Sequence, residues 1–242
     1  ARALELLEYA AELGSGHAGA QLQLLAGSAS TDWPRLRAAI DVRELLSVGE
    51  KTIVSEAPRV RIIPGFASKA ECDWVIARTG HKLGRAMIWD EVGGKGRIDP
   101  SRSNSAVEVR LTDMDVVMEI LRARIAVATR LPEPVFETPQ VMHYTVGQEF
   151  KVHHDYLDPD LPGHAMDMKQ RGQRIATFLV YLNDGFEGGE TEFPRANIIV
   201  RGAAGDALFF ANVTRDGKPD PLTTHAGRPP ASGEKWILSQ WI

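Results

Sequence analysis

The sequence contains one cysteine and no long apolar segment. Cys72 has no second thiol for an intramolecular disulfide, and a single cysteine excludes a cysteine-based zinc cluster. A reducing interior is therefore the expected compartment, and a disulfide-free periplasmic protein is the alternative. No run approaches the roughly 18 apolar residues that a membrane-spanning helix needs, so no membrane partner is expected. Acidic residues at positions 5, 8 and 12 interrupt the first segment and argue against a signal peptide there.

An excess of basic charge is also missing. The 242 residues contain 28 Lys and Arg against 32 Asp and Glu, which gives a net charge of -4. Nucleic-acid binding usually requires a basic face, so no nucleic-acid partner is expected. With 43% hydrophobic residues the chain has enough apolar surface to fold around a core. The sequence leaves the oligomeric state open.

The first 50 residues predict a helical segment. Leu4, Leu7 and Ala11 recur at three- and four-residue steps, which is the period of a helix face. The text EYAAELGSGHAGAQLQLLAG resembles one Sel1-like, TPR-type repeat, although such solenoids usually need about three repeats. An ordinary amphipathic helical hairpin is the alternative. Further helices are predicted over 33–48 and over 112–130, the second with Asp113 and Asp115 in its first turn.

The sequence pattern changes after Pro134. Short strand-like runs alternate with turns rich in Gly, Asp and Pro, among them VMHYTV, FKVHHDY, RIATFLVYLN, DALFFANV and KWILSQWI. This spacing is typical of an all-β sandwich or barrel. Helices followed by a run of strands predict the α+β class.

One pair of residues in this β-rich half has metal-binding spacing. In a strand, alternate side chains share a face, so His153 and Asp155 point the same way. Seven His and 32 acidic residues in 242 positions produce about one such pair by chance, so the pair alone is weak. His225 lies 70 residues beyond Asp155, and Lys235 lies ten residues further on, on a mainly apolar strand face. Lys235 is either an edge-strand lysine that reaches solvent or a cation awaiting an anionic ligand.

Together these four residues indicate more than each does alone. Two imidazoles and one carboxylate form the facial triad that binds non-haem Fe(II) and leaves coordination positions open. Those positions suit a bidentate 2-oxo acid and O2. A distal lysine then suits the far carboxylate of that acid.

The same half of the chain resembles the prolyl 4-hydroxylase branch of the Fe(II)/2-oxoglutarate-dependent dioxygenases. The matching text is MHYTVGQEFKVHHDY, GQRIATFLVYLNDGFEGGETEFP, GDALFF and DPLTTHAGRPPASGEKWILSQWI, over about 140–242. The resemblance implies a double-stranded β-helix, or jelly-roll, core with N-terminal helices packed on it. The expected organisation is a helical annex at 1–50 and a dioxygenase domain at 55–242, with its catalytic β-core at about 135–242.

The resemblance also implies roles for individual residues. The implied set consists of iron ligands His153, Asp155 and His225, 2-oxoglutarate contacts Lys235, Tyr144 and Thr177, and substrate contacts Arg102 and Trp241. Arg102 lies in a loop at 89–104 that corresponds to a substrate-covering hairpin, where Asp90 and Glu91 are further candidates. A second candidate lid is 157–172. His143 and His154 are expected in structural roles, and His164 on the surface.

The implied activity is hydroxylation of an unactivated C–H bond, with Fe(II) as cofactor, 2-oxoglutarate and O2 as cosubstrates, and ascorbate as a supporting reductant. Proline in a peptide or protein is the first expected substrate. A free amino or imino acid, such as proline or pipecolate, in a bacterial specialised pathway is the alternative, with a loop arginine such as Arg102 as its counter-charge. A non-catalytic β-barrel binding module is the third hypothesis. The expected location is the bacterial cytoplasm.

Overall fold

The computed structural model describes residues 2–89 and 96–242. The chain forms two compact units, Ala1–Val48 with Thr112–Glu133, and Gly49–Leu111 with Pro134–Ile242. Within the described ranges the α-helices are α1 (Arg2–Glu12), α2 (Gly16–Ala26), α3 (Trp33–Ala39), α4 (Val42–Leu45), α5 (Lys69–Thr79), α6 (Val116–Thr129) and α7 (Pro162–Arg171). The strands are β1 (Thr52–Glu56), β2 (Arg59–Ile63), β3 (Gly84–Arg85), β4 (Ile88–Trp89), β5 (Gly96–Arg97), β6 (Ser105–Glu108), β7 (Gln140–Tyr144), β8 (Phe150–His153), β9 (Ala176–Tyr181), β10 (Glu187–Gly188), β11 (Thr191–Phe193), β12 (Ile198–Val200), β13 (Ala207–Ala211), β14 (His225–Gly227), β15 (Pro230–Ser232) and β16 (Lys235–Trp241).

The first unit is helical, as its sequence period predicts. Leu4, Leu7 and Ala11 form the buried face of α1. The Ser15 side chain accepts a hydrogen bond from the Ala18 amide and so caps α2. This cap satisfies an amide that the first turn of the helix leaves without a backbone partner.

The prediction of one helix over 33–48 is wrong. The chain turns extended at Ile40, and Asp41 then caps the separate short helix α4 through the amides of Arg43 and Glu44. A capping aspartate in the middle of a periodic stretch ends one helix and starts the next. The helix predicted over 112–130 begins later than expected, because Asp115 is its N-cap and not part of its first turn.

Helix α6 belongs to the helical unit, although it lies between β6 and β7 in the chain. The Val116 amide donates to Gln21 Oε1 at 2.9 Å, and Arg124 Nε donates to the Leu45 carbonyl at 2.7 Å. The helical unit is therefore built from two separate stretches of sequence. The first of them ends at Val48.

The second unit contains two facing antiparallel sheets. The larger sheet has the strand order β1-β2-β13-β9-β16-β7-β6-β3, and the smaller has the order β12-β11-β14-β8. Two short ribbons, β4-β5 and β10-β15, complete the strands found in the described ranges. Strands β9 and β16 are buried at every residue. They are thus the centre of the larger sheet, which explains their continuous apolar sequence.

The hydrophobic core of this unit lies between the two sheets. It joins residues of the larger sheet, such as Phe210, to residues of the smaller one, such as Phe193. These two rings meet edge-to-face with centroids 5.1 Å apart. The arrangement confirms the α+β class and the double-stranded β-helix expected from the sequence.

Helix α5 covers the other face of the larger sheet. Ser68 and Glu71 form the capping box at its start. Buried Cys72 contacts the Tyr181 carbonyl from this helix, with Sγ 3.9 Å away. Across residues 2–89 and 96–242, no helix combines the length and hydropathy needed to cross a membrane.

Candidate functional site

Two strands of the smaller sheet bring the two predicted histidines together. His153 ends β8 and His225 begins β14, and the two residues face each other in the antiparallel register. Asp155 follows β8 by two residues and lies between the rings. His153 Nε2 is 3.6 Å from Asp155 Oδ1, and His225 Nε2 is 3.7 Å from Asp155 Oδ2. The ligand atoms of all three lie within 4.8 Å of one another, which is the spacing of a shared metal ion.

Backbone carbonyls fix the orientation of both rings. His153 Nδ1 is 2.8 Å from the Lys151 carbonyl, and His225 Nδ1 is 3.0 Å from the Thr223 carbonyl. A carbonyl only accepts, so each Nδ1 carries a proton, and Nε2 is the ring nitrogen that faces Asp155. The three side chains therefore present two imidazole nitrogens and a carboxylate at one point. That donor set fits a non-haem Fe(II) ion.

The charge states also suit metal binding. Burial, together with repulsion from His225, lowers the pKa of His153 to about 3. Burial would raise the pKa of Asp155, but His225, His153 and a hydrogen bond from Thr177 outweigh it and lower this pKa to about 2. At neutral pH the pair is thus a neutral imidazole and an ionised carboxylate, the forms that bind metal.

Thr177 lies behind Asp155. Its hydroxyl donates to Asp155 Oδ2 at 2.7 Å and accepts from Asn212 Nδ2 at 3.0 Å. The residue was predicted to contact the cosubstrate, whereas the structure places its hydroxyl on the carboxylate. Asn212 was not singled out from the sequence. The only available signal was a polar residue directly after the apolar run of β13.

Lys235 and Tyr144 form the opposite end of the site. They are direct partners in the register of β16 and β7, and both are buried. The Lys235 ammonium lies 5.3 Å from the ring centroid of Tyr144 and 5.7 Å from that of Tyr181. Lys235 is 2% exposed, yet within the described part of the chain no carboxylate forms an ion pair with it. The structure thus favours the cation awaiting an anionic ligand over the solvent-reaching edge lysine.

Burial lowers the pKa of Lys235 to about 7, with only a partial offset from Glu190. Burial likewise raises the pKa of the Tyr144 phenol to about 12, so that it stays a hydrogen-bond donor. A carboxylate placed against these two side chains would stabilise the protonated form of Lys235 and would accept a hydrogen bond from the Tyr144 hydroxyl. The pair therefore fits the distal carboxylate of 2-oxoglutarate.

Arg102 is buried at the base of the predicted hairpin. Its three guanidinium nitrogens donate to Asn104 Oδ1, the Met87 carbonyl and Gln140 Oε1, at 3.0–3.2 Å. The guanidinium also lies 4.7 Å from the ring centroid of Phe150. Phe150 in turn stacks on His153, with centroids 3.5 Å apart. The structure thus links Arg102 to an imidazole of the metal-binding cluster.

Trp241 ends β16, opposite Thr177 on β9. Arg174 lies over its ring at 4.6 Å and holds Glu137 through two hydrogen bonds, at 2.5 and 2.9 Å. The Trp241 Nε1 donor is buried and has no acceptor within the residues described. Arg174 and Glu137 were missed at the sequence level because they are 37 positions apart and no local motif links them.

The remaining expected residues have separate places. His143 Nε2 lies at hydrogen-bond distance, 2.7 Å, from Glu234 Oε2, and His154 stacks on Tyr156 with centroids 4.0 Å apart, so both have structural partners. The prediction of a surface His164 is wrong, because this residue is buried and its Nδ1 accepts from the Asp158 amide at 2.9 Å. The second candidate lid contains α7.

Asp90 and Glu91, the further hairpin candidates, lie outside the described residues.

Known proteins match this chain over most of its length. The family model of the 2OG-Fe(II) oxygenase superfamily matches residues 139–242. Prolyl 4-hydroxylase 1 of Arabidopsis thaliana is 33% identical over 215 residues, which cover 82% of this chain and 74% of that protein. Probable prolyl 4-hydroxylase 3 of the same plant is 32% identical over 78% of this chain and 71% of its own length.

A solved structure gives the same assignment. The viral collagen prolyl hydroxylase of Paramecium bursaria Chlorella virus-1, in complex with 2-oxoglutarate, is 28% identical with a TM-score of 0.59. The match covers 78% of this chain and 97% of that one. The fold and site define a 2OG-Fe(II) oxygenase. The chain belongs to the prolyl 4-hydroxylase family of these enzymes.

This membership makes the protein a dioxygenase that uses Fe(II), 2-oxoglutarate and O2. Ascorbate is typical of prolyl hydroxylases. The expected family, enzyme class and cofactors are confirmed.

Proposed function

We propose that this dioxygenase hydroxylates proline within a peptide or protein, at the cluster formed by His153, Asp155 and His225. The observation that carries the proposal is the pairing of that cluster with the buried amine of Lys235, which has no ion-pair partner among the described residues. Bound Fe(II), with 2-oxoglutarate and O2, would supply the oxidising power for C–H hydroxylation, with succinate and CO2 as co-products. The substrate class is supported by the relatives, whose names are those of prolyl hydroxylases.

The residue roles follow from the contacts. His153, Asp155 and His225 would hold Fe(II), because their ligand atoms lie within 4.8 Å of one another and include two imidazoles and a carboxylate. Lys235 and Tyr144 would bind the distal carboxylate of 2-oxoglutarate, one by charge and one by its hydroxyl. Both contacts are enclosed, so water would compete little with the bound anion.

The substrate side is assigned to Trp241 and to Arg102. The buried Nε1 donor of Trp241 has no acceptor in the described part of the chain, and a peptide carbonyl could supply one. Arg102 would act by holding the base of the substrate hairpin, since it bonds to Met87 directly before β4. The free imino acid alternative receives no support from Arg102. This residue is 5% exposed, and each guanidinium nitrogen already donates to a neutral acceptor.

We propose that the dioxygenase domain spans residues 55–242 apart from Thr112–Glu133, which belong to the helical unit, because every residue given a role above falls in the remaining range. A cytoplasmic, bacterial location also stays a proposal. Its support is the single thiol, Cys72, which is buried and forms no disulfide. Fractionation of native cells would test it, and recovery in a secreted or organellar fraction would refute it.

The experiment that tests the function is succinate formation by anaerobically purified protein supplied with Fe(II), 2-oxoglutarate and O2. Proline-containing peptides, free proline and free pipecolate would be compared as substrates. We expect peptide-stimulated succinate and a peptide product heavier by one oxygen atom. Stimulation by the free imino acids alone would refute the peptide assignment and support the alternative.

Matched variants test the cluster itself. Asp155→Ala and His153→Ala should abolish turnover. His154→Ala should retain most of it, because His154 stacks on Tyr156 outside the cluster. Equal losses in His153→Ala and His154→Ala would count against the proposed iron ligands. A parent protein that shows no turnover, and that binds the peptide as well as Asp155→Ala does, would indicate a non-catalytic binding module.

A further inference from the structure

Asn212 is a fully enclosed amide behind the metal-binding cluster. Its side chain is 0% exposed. The backbone on both sides is fixed, because its amide donates to the Ile175 carbonyl and its carbonyl accepts from the Asp220 amide. The side chain therefore has a defined direction, towards Thr177.

The hydrogen bonds run in one direction only. Ionised Asp155 can only accept, so the Thr177 hydroxyl must donate its proton to Asp155 Oδ2. The same hydroxyl oxygen must then accept from Asn212 Nδ2. This order fixes the amide orientation, and it leaves Asn212 Oδ1 buried without a donor within the described ranges. If the amide were flipped, Asn212 Oδ1 would face the Thr177 hydroxyl oxygen and no hydrogen bond could form. The bond from Nδ2 therefore sets the orientation of the Asn212 side chain.

The two hydrogen bonds from Asn212 to Thr177 and from Thr177 to Asp155 occupy one carboxylate oxygen of Asp155 and leave the other available. Asp155 Oδ2 accepts from Thr177, whereas no hydrogen bond to Oδ1 exists among the described residues. Groups that bond to a metal ligand from behind commonly set its orientation and its affinity for the ion.

We propose that Asn212 is a positioning residue for Asp155 and acts through Thr177, so that Oδ1 remains directed at the metal. The inference rests on the proposed function, in which Asp155 is an iron ligand. Thr177 transmits the constraint by means of its single hydroxyl. Asn212 prevents that hydroxyl from turning away, because no other donor reaches the hydroxyl oxygen among the described residues.

The test measures Mn(II) affinity, a readout that does not depend on turnover. Removal of an outer-shell partner typically weakens metal binding by about 10- to 100-fold. We expect a loss in this range for Thr177→Val, a smaller loss for Asn212→Ala, and recovery in Thr177→Ser. If Asn212 acts through Thr177, adding Asn212→Ala to Thr177→Val should produce no further loss. Asn212→Leu removes the amide but keeps the volume, and it should match Asn212→Ala.

Controls separate the inference from general destabilisation and from the proposed function. Thr79→Val removes a buried hydroxyl bond to the Val75 carbonyl on α5, away from the cluster, and should leave Mn(II) affinity unchanged. Equal losses in this control, additive losses in the double variant, or unchanged affinity in both Asn212 variants would overturn the inference. If instead the parent protein and Asp155→Ala bind Mn(II) alike, the proposed iron site is wrong.

Discussion

Lys235 is a charged side chain enclosed by two tyrosine rings, and its replacement is the simplest test of the cosubstrate end. Lys235→Met keeps much of the volume but removes the charge. Loss of one partner from a buried charged pair costs about 2–5 kcal/mol. We therefore expect the KM for 2-oxoglutarate to rise by at least about 30-fold, measured by succinate release at saturating peptide. An unchanged KM would show that the anion binds elsewhere.

The same residue predicts a pH dependence of cosubstrate binding. Burial lowers the pKa of Lys235 to about 7, so the amine is protonated below this pH and neutral above it. Glu190 is the charged group that opposes the shift, and Tyr144 and Tyr181 face the amine with their rings. Above pH 7 the anion must bind together with a proton, so its affinity should fall as pH rises, by up to about tenfold per unit.

The measurement is the Kd for 2-oxoglutarate of the Mn(II)-loaded protein between pH 6 and 9. Lys235→Arg is the matched control, because a guanidinium keeps its charge throughout this range. The arginine variant should bind with a nearly flat pH profile. A parent protein with the same flat profile would contradict the prediction.

At the scale of residues, the sequence predicted the groups that carry distinctive chemistry. His153 and Asp155 could be selected as a pair because alternate side chains of a strand share a face. The family resemblance then added His225 and Lys235, which the spacing alone left open. Asn212 could not be selected, since its importance depends on a hydroxyl 35 positions away. Contacts between distant strands depend on register, which local spacing does not encode.

At the scale of elements, the turn before β16 controls where the Lys235 side chain is placed. Gly233 has φ of 72°, and a Cβ there would lie 2.3 Å from the Gly185 carbonyl oxygen. Gly233→Ala therefore meets both a left-handed backbone and a backbone clash. We expect a loss of at least about 3 kcal/mol in the free energy of unfolding. We also expect weaker 2-oxoglutarate binding, because Lys235 follows two residues later.

Gly217 provides the control for that variant. Its φ is 79°, but a Cβ there would have no heavy atom within 4 Å. Gly217→Ala should therefore cost only the left-handed conformation, about 1 kcal/mol. Both free energies would be measured by urea unfolding. Equal losses in the two variants would contradict the role given to the clash.

Prediction of elements succeeded where the pattern was long and failed where it was short. Strands β9 and β16 were recognisable as continuous apolar runs. The three-residue strand β14 was not, because His225–Gly227 is too short to show alternation. Strand β14 forms because it pairs with β8 and β11 in the smaller sheet, and not because its three residues have a strong β-propensity. The break at Asp41 was missed because helical spacing continues across it.

At the scale of the whole molecule, the helical unit is interleaved with the catalytic one. A chain that begins at residue 49 would keep every proposed site residue but lose partners of α6. Val116 would lose the Gln21 oxygen, and buried Arg124 would lose the Leu45 carbonyl. A hydrogen bond of this kind typically contributes about 0.5–1.5 kcal/mol to stability.

We therefore expect residues 49–242 to unfold at a lower temperature and to be less soluble than the full chain. Circular dichroism melting would measure the first effect and recovery after centrifugation the second. Mn(II) affinity should change little in the fraction that stays folded, because the cluster lies wholly in the other unit. An unchanged melting temperature would show that α6 needs no partner from residues 1–48.

Strand β16 has a consequence for how substrate preference can change over time. Lys235 begins this strand and Trp241 ends it, six residues apart and so about 20 Å along one rigid element. Under the roles proposed above, substitutions near Trp241 would alter what is oxidised without moving Lys235, the proposed cosubstrate lysine. Substrate preference could therefore change at the Trp241 end of β16 while 2-oxoglutarate binding at the Lys235 end is retained.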